Sequence, residues 1–279
     1  MRFGAARFVA GTTLDDFVAA ARSQNGRGRS VAAGYLGEGV GNADDARRIA
    51  ADFAGIVDRI AAERLDATVA VKLSHLGLDV AEGEAERNLR AVVERGAERG
   101  VFVRIDMEES FRVDATLRIY RALRAAGLDN VGIVLQAYLR RSPGDLRDLR
   151  ALAPSVRLVK GAYSEPAAVA LQSKAEIDEA YAALIDEALG HCAFVAVATH
   201  DDRIMERTVA FVRARGSAPG TFEFQMLLGV RDALGDELVA RGLPLRVSVP
   251  FGADWYPYLM RRMAENPANL ALIVRNWRG

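Results

Sequence analysis

The hydrophobic positions of this chain follow two alternating rhythms. Short runs rich in β-branched residues occupy 29–35 (RSVAAGY), 68–74 (TVAVKLS), 101–106 (VFVRID), 131–136 (VGIVLQ), 156–161 (VRLVKG), 194–199 (FVAVAT), 221–225 (TFEFQ) and 245–250 (LRVSVP). Their length and composition predict strands. Between them lie stretches rich in Ala, Leu, Glu and Arg with apolar residues at helical spacing, among them 44–64, 84–99 and 116–126. A further helix is predicted over 14–22, ahead of the first regular strand–helix pair. In this register Gly41-Asn42 and Gly127 fall where helix caps and helix-to-strand turns are needed. Eight strand–helix units in about 250 residues is the arithmetic of a closed α/β barrel of the (β/α)8 TIM type, because doubly wound open sheets usually stop sooner.

Composition narrows the picture. The chain has 279 residues, 51% hydrophobic and 27% charged, with 8 prolines and no Ser/Gly-rich linker, which predicts one domain over 1–279. Its 37 Lys and Arg balance its 37 Asp and Glu, so no long-range field draws it onto nucleic acid or an anionic membrane. No apolar run reaches the roughly 18–20 residues of a membrane span, and no apolar h-region follows Arg2 and Arg7. A cytoplasmic protein is expected. The single cysteine, Cys192, excludes an internal disulfide, and His75, His191 and His200 stand at no ligand spacing, so no metal site is expected.

In a barrel of this type chemistry collects at the C-terminal ends of the strands. Those ends are unusually polar here. They carry Lys72 and Ser74, then Arg104 and Asp106, then Gln136, then Arg157 and Lys160 ahead of Tyr163. The later strands bring Thr199, His200 and Asp201, then Glu223 and Gln225, then Arg246 and Ser248. Strand alternation puts Arg104 and Asp106 on one face, as it does Glu223 with Gln225 and Arg246 with Ser248. Burying so many charges is costly unless they pair or meet a polar ligand, so a polar molecule at the barrel mouth accounts for the set. The structural alternative is pairing within it, Arg104 with Glu223 or Asp106 with Lys72, which leaves most of the set unexplained.

A second constellation lies near the end of the sequence. Asp254 is placed to cap a helix in which Tyr258, Arg261, Arg262 and Glu265 fall at i, i+3, i+4 and i+7, on one face. Adjacent arginines offer forked donors suited to a carboxylate; a solvated Arg261–Glu265 pair is the plainer alternative. Cys192 reads as a small core residue, His75 and His191 as local hydrogen-bonding groups, and Trp255-Tyr256 as packing for the last helix.

Taken in order, VAVKLSHLGLD (69–79), VRIDMEES (103–110), IVLQAYLRR (133–141), VRLVKGAY (156–163), VATHD (197–201), FEFQMLLGVR (222–231) and VPFGADWYPYLMRRMAENPANL (249–270) resemble the proline dehydrogenase family of flavoenzymes. The match runs from about Arg7 to the end, and the order of the stretches makes it specific. The compact length resembles the monofunctional bacterial branch, without the aldehyde dehydrogenase domain of bifunctional relatives. The resemblance implies a distorted barrel holding FAD non-covalently at the strand C-termini, with the last helix over the mouth. It implies flavin contacts from Asp106 and Met107 near the ring edge, from Gln136, Arg157, Lys160, Thr199, His200 and Glu265, and from Lys174 near the phosphates. The implied substrate positions are Lys72, Tyr163, Leu227, Tyr258, Arg261 and Arg262. The absence of a GxGxxG fingerprint fits a barrel-type flavin site.

The implied reaction is oxidation of L-proline to Δ1-pyrroline-5-carboxylate, with a membrane quinone as electron acceptor through peripheral contact at the inner membrane. The implied partner is an aldehyde dehydrogenase that takes the hydrolysed product. Ser248 stands where proline-specific relatives commonly carry a tyrosine and where hydroxyproline dehydrogenases resemble this chain in having serine, which extends the expected substrates to 4-hydroxyproline or another ring-substituted proline. The competing reading is a Schiff-base lyase or aldolase using Lys72 or Lys160 as an amine nucleophile.

Overall fold

The computed structural model describes residues 7–37, 39–216, 218 and 220–265, with side chains described as far as Met260. Eight strands, β1 (Ser30–Tyr35), β2 (Ala67–Val71), β3 (Val103–Ile105), β4 (Val131–Gln136), β5 (Ser155–Val159), β6 (Phe194–Ala198), β7 (Phe222–Leu227) and β8 (Leu245–Phe251), close in sequence order into a barrel. Every neighbouring pair is parallel, and β8 returns to β1 with Ser248 level with Ala32. Around the barrel run α1 (Leu14–Gly26), α2 (Ala43–Ala62), α3 (Glu82–Arg99), α4 (Val113–Ala125), α5 (Ser142–Leu149), α6 (Lys174–His191), α7 (Asp202–Arg215), α8 (Asp232–Ala240) and α9 (Trp255–Glu265). The (β/α)8 expectation holds for all eight strands. Four run short at their C-terminal ends, so Lys72, Asp106, Lys160 and Thr199 are the first residues beyond β2, β3, β5 and β6.

Local chemistry accounts for the boundaries. Thr13 and Asp16 form a reciprocal capping box at the start of α1, and Asn42 caps α2 by accepting from the Asp45 amide at 2.8 Å. Gly127 turns the chain after α4 with φ at +80°. The outward faces of the strands pack against the helices in one continuous apolar core, where Phe17 of α1 stacks on Phe251 of β8 at 4.9 Å between centroids. Cys192 packs against the edge of that core, and burial pushes its thiol up to about 12, as suits a small core residue. The last helix is held by a satellite cluster in which Trp255 and Val230 pack on Phe8 and Leu259. Val230 follows β7, so this cluster sets α9 at the C-terminal end of the barrel.

The barrel interior corrects one expectation. Arg104, Glu223 and Arg246 are not at the mouth but low in the barrel. The Arg104 guanidinium donates to the carbonyl of Ser155, the first residue of β5, at 2.6 Å and to its hydroxyl at 2.9 Å. Arg246 donates to Glu223 at 2.8 Å and to the carbonyl of Val31 near the start of β1 at 2.9 Å. Arg104 therefore pairs with neutral oxygens, and Glu223 pairs with Arg246. The reason is strand position: each of these three is the second residue of its strand, one layer below the next inward-facing residue. Burial, together with the like charge of Arg157, pushes Arg104 down to about 9. Gly132, its register neighbour on β4, makes room for it, since a Cβ there would lie 2.2 Å from Arg104 Nη1. Among the described residues no helix is long and apolar enough to cross a membrane, and no group of three or more His, Cys, Asp or Glu is placed to hold a metal.

Candidate active site

Above that lower layer the strands end in a second polar set. Arg157, the middle residue of β5, forms an ion pair with Asp106 across the barrel and approaches Gln225 Oε1 at 3.5 Å. Gln225 in turn donates to Glu223 at 2.6 Å, so a polar chain climbs from Arg246 through Glu223 and Gln225 to Arg157 and Asp106. Sequence alternation puts Gln225 on the inward face without assigning it to the site; its pairing with Glu223 on that face is the available signal.

Gln136, the last residue of β4, is 3% exposed, and its Nε2 reaches the Met107 carbonyl at 3.5 Å. Its Oε1 is buried with no hydrogen-bond partner, as is Arg157 Nε. Of the eight such atoms among the described residues, these two are the ones that belong to strands of the barrel, where a polar group bound at the mouth would satisfy them. The backbone around them is held tightly. Beyond the formal ends of β4 and β5, Ala137 and Tyr138 donate to the carbonyls of Val159 and Lys160 at 2.8 and 2.9 Å. Gly161, with φ at +117°, is needed at the next step because a Cβ would meet the Tyr138 ring at 2.2 Å.

Four further expected positions are tied to β7 and α6. Thr199 donates its amide to the Gln225 carbonyl at 3.1 Å, and its hydroxyl accepts from the Asp201 amide at 3.0 Å. His200 Nε2 accepts from the Leu227 amide at 3.0 Å, which puts the proton of the neutral ring on Nδ1. Arg231 buttresses this corner by donating to the His200 carbonyl at 2.7 Å, although its own backbone is left-handed at φ +49°. Lys160 and Lys174 converge on Asp178 of α6, which Lys174 reaches at 2.6 Å; the two ammonium groups hold its carboxyl below the usual range, Lys160 contributing most. The sequence pattern does not single out Asp178, although Lys174 and Asp178 stand at i, i+4. Lys160 is paired with Asp178 and lies 3.9 Å from Asp201, so its ammonium is engaged by carboxylates on two sides.

Lys72, Tyr163, Leu227 and Ser248 are half-buried around the same opening, and Tyr258 is half-buried on α9. Leu227 and Ser248 are register partners on β7 and β8. Arg261, Arg262 and Glu265 follow on α9, but their side chains lie outside the described residues.

The fold and this opening define a (β/α)8-barrel protein whose polar side chains gather at the C-terminal ends of its strands. A family model described as "Proline dehydrogenase" matches residues 17–275, and the chain belongs to that family. It is 40% identical to "Proline dehydrogenase 1" of Bacillus subtilis subsp. natto over 274 residues, covering 98% of this chain and 90% of the relative. It is 38% identical to "Proline dehydrogenase" of Deinococcus radiodurans over 275 residues, covering 97% and 89%. Among solved structures it is similar to proline utilization A (PutA) of Bdellovibrio bacteriovorus inactivated by N-propargylglycine, with a TM-score of 0.87 at 25% identity, covering 94% of this chain and 32% of that one.

Proposed function

We propose that the protein is an FAD-dependent dehydrogenase that oxidises L-proline to Δ1-pyrroline-5-carboxylate. The observation that carries this reading is the pair of buried polar atoms without partners, Gln136 Oε1 and Arg157 Nε, in the middle of the ring of positions that the family resemblance assigns to flavin. A planar cofactor edge rich in donors and acceptors fits them. Asp106, Met107, Gln136, Arg157, Thr199, His200 and Glu265 would hold the ring system, and Lys160 and Lys174 would meet the anionic part. When bound, FAD supplies the two-electron oxidant for the bond between the ring nitrogen and its neighbouring carbon.

The protein's part is positioning and charge. Arg261 and Arg262 anchor the substrate carboxylate, and Lys72, Tyr163, Leu227 and Tyr258 shape the space around its ring. Arg157, locked by Asp106 and Gln225, places fixed positive charge where negative charge accumulates during oxidation. A quinone reached through peripheral contact with the membrane would take the electrons, and the imine, once hydrolysed by water to its semialdehyde, would pass to an aldehyde dehydrogenase.

Ser248 supports a second reading in substrate range. It stands between Ala32 on β1 and Leu227 on β7, with no bulky aromatic neighbour in register, which leaves room and a hydroxyl for a substituent on the ring. The test is the visible spectrum of the purified protein and its bleaching by cyclic amino acids. A yellow protein bleached by proline is the expected result. A protein that stays colourless after soaking with FAD overturns the reading and returns the lyase alternative.

A further inference from the structure

Two contacts of the same form tie the mouth loops together. The Glu108 carboxylate, 2% exposed, accepts from the backbone amide of Ser74 at 2.9 Å and from the hydroxyl of the same serine. The Glu165 carboxylate accepts from the amide of Ser110 at 2.6 Å and from its hydroxyl, also at 2.6 Å. The first contact joins the loop after β2 to the loop after β3. The second joins the loop after β3 to the loop after β5. Each sits two residues along from a position facing the opening: Ser74 follows Lys72, Glu108 follows Asp106, and Glu165 follows Tyr163.

The burial of Glu108 needs a reason. A carboxylate so far from water is costly, and burial does push its carboxyl above the usual range despite the two serine bonds and the attraction of Lys72. A neutral side chain would fill the space at lower cost. The carboxylate adds a fixed direction for the turn that begins at Lys72 and a negative charge beside the Lys72 ammonium. Arg112 supports the arrangement from the outside, 3.9 Å from Glu108 and bonded to Asp79 at 2.6 and 2.8 Å across the far end of the same turn.

We propose that Glu108 and Glu165 are positioning residues for the substrate, acting through Ser74 and Ser110 to hold the loops that carry Lys72 and Tyr163. The inference rests on reading the opening as a proline site. With the loops held in advance, substrate binding does not have to order them, so loosening them raises KM while the oxidation step itself is spared.

The test measures kcat and KM for proline in flavin-loaded Glu108→Gln, Glu165→Gln, Ser74→Ala and Ser110→Ala. Loss of charge-assisted bonds predicts KM about tenfold higher in the two glutamate variants and about threefold higher in the serine variants, with kcat within about twofold and flavin content unchanged. A role limited to stability would instead lower flavin content and kcat together and leave KM alone. Unchanged KM in the serine variants overturns the proposal even where Glu108→Gln fails to fold. A wild type that oxidises no proline overturns the functional reading and this inference with it, whereas an active wild type whose variants keep its KM overturns the inference alone.

Discussion

The inside of this barrel holds two polar layers that look alike in sequence and differ in how their atoms are satisfied. In the lower layer Arg104, Glu223 and Arg246 find their partners within the protein, in Ser155, Val31 and one another. In the upper layer Arg157 and Gln136 keep buried atoms with no partner at all. A polar group that the chain satisfies itself is part of the fold, and one left open on a barrel strand near its C-terminal end has room for a partner from a bound molecule. The layers touch through Gln225, which donates downward to Glu223 and faces Arg157 above, so the structural layer also fixes the direction of the functional one.

The comparison breaks first at Glu223. Removing it by Glu223→Ala leaves the half-buried Arg246 with Asp66, 3.9 Å away and exposed, as its remaining carboxylate, and this should cost about 3 kcal/mol of stability in urea unfolding of the apoprotein. In the upper layer, Gln136→Leu removes an amide oxygen that has no partner, so apoprotein stability should stay within about 1 kcal/mol or rise, while flavin affinity falls. Equal destabilisation by the two substitutions would erase the distinction. Next in size, Arg157→Met should weaken flavin binding by about 1.5–3 kcal/mol, roughly ten- to a hundredfold in Kd by absorbance titration, because it removes the fixed charge in the upper layer. Flavin affinity that is unchanged would move the site away from β5.

Gly132→Ala sharpens the lower side. The added Cβ would sit 2.2 Å from Arg104 Nη1 and 2.7 Å from the Ser155 carbonyl, so overpacking should cost about 1–3 kcal/mol in thermal unfolding with no change in substrate preference. On the upper side, Arg261→Ala or Arg262→Ala should raise KM for proline about tenfold with flavin still bound, one charge-assisted bond being lost in each. Unchanged KM in both variants would remove the carboxylate clamp.

How far the sequence could be read follows from the same contrast. Strand and helix rhythm placed all eight strands, because a parallel barrel repeats one local pattern and each repeat reinforces the others. Alternation assigns Arg104, Glu223 and Arg246 to the interior correctly, but it carries no measure of height along the strand, so it cannot separate the mouth from the layer below. Lys72 and Asp106 are recognisable as strand ends although they fall one residue past them. Partners distant in sequence are not legible: nothing local says that Asp106 takes Arg157, or that Glu108 takes Ser74. Residue roles came from the resemblance, which carries whole motifs such as FEFQMLLGVR but does not say which members bond one another.

Ser248 gives the finest test of the upper layer, since it lies two residues above Arg246 on the same face of β8. Its register neighbours are Ala32 and Leu227, so no aromatic side chain stands level with it, and on the reading proposed above the serine leaves room for a ring substituent. An apolar pocket rejects an added hydroxyl only weakly, by about a hundredfold at most, so the effect should be a shifted ratio and not an absolute switch. Ser248→Tyr closes the space and removes the small hydroxyl together. The ratio of kcat/KM for 4-hydroxyproline to that for proline should therefore fall in the variant, while stability and flavin content hold, because the larger ring would displace nothing in the lower layer. Ser248→Ala separates the two causes: if room alone matters its ratio matches wild type, and if the hydroxyl binds the substituent its ratio falls partway. A ratio in Ser248→Tyr that equals the wild-type value would show that this position does not select the ring, and would leave the substrate range to Tyr163, Leu227 and Tyr258.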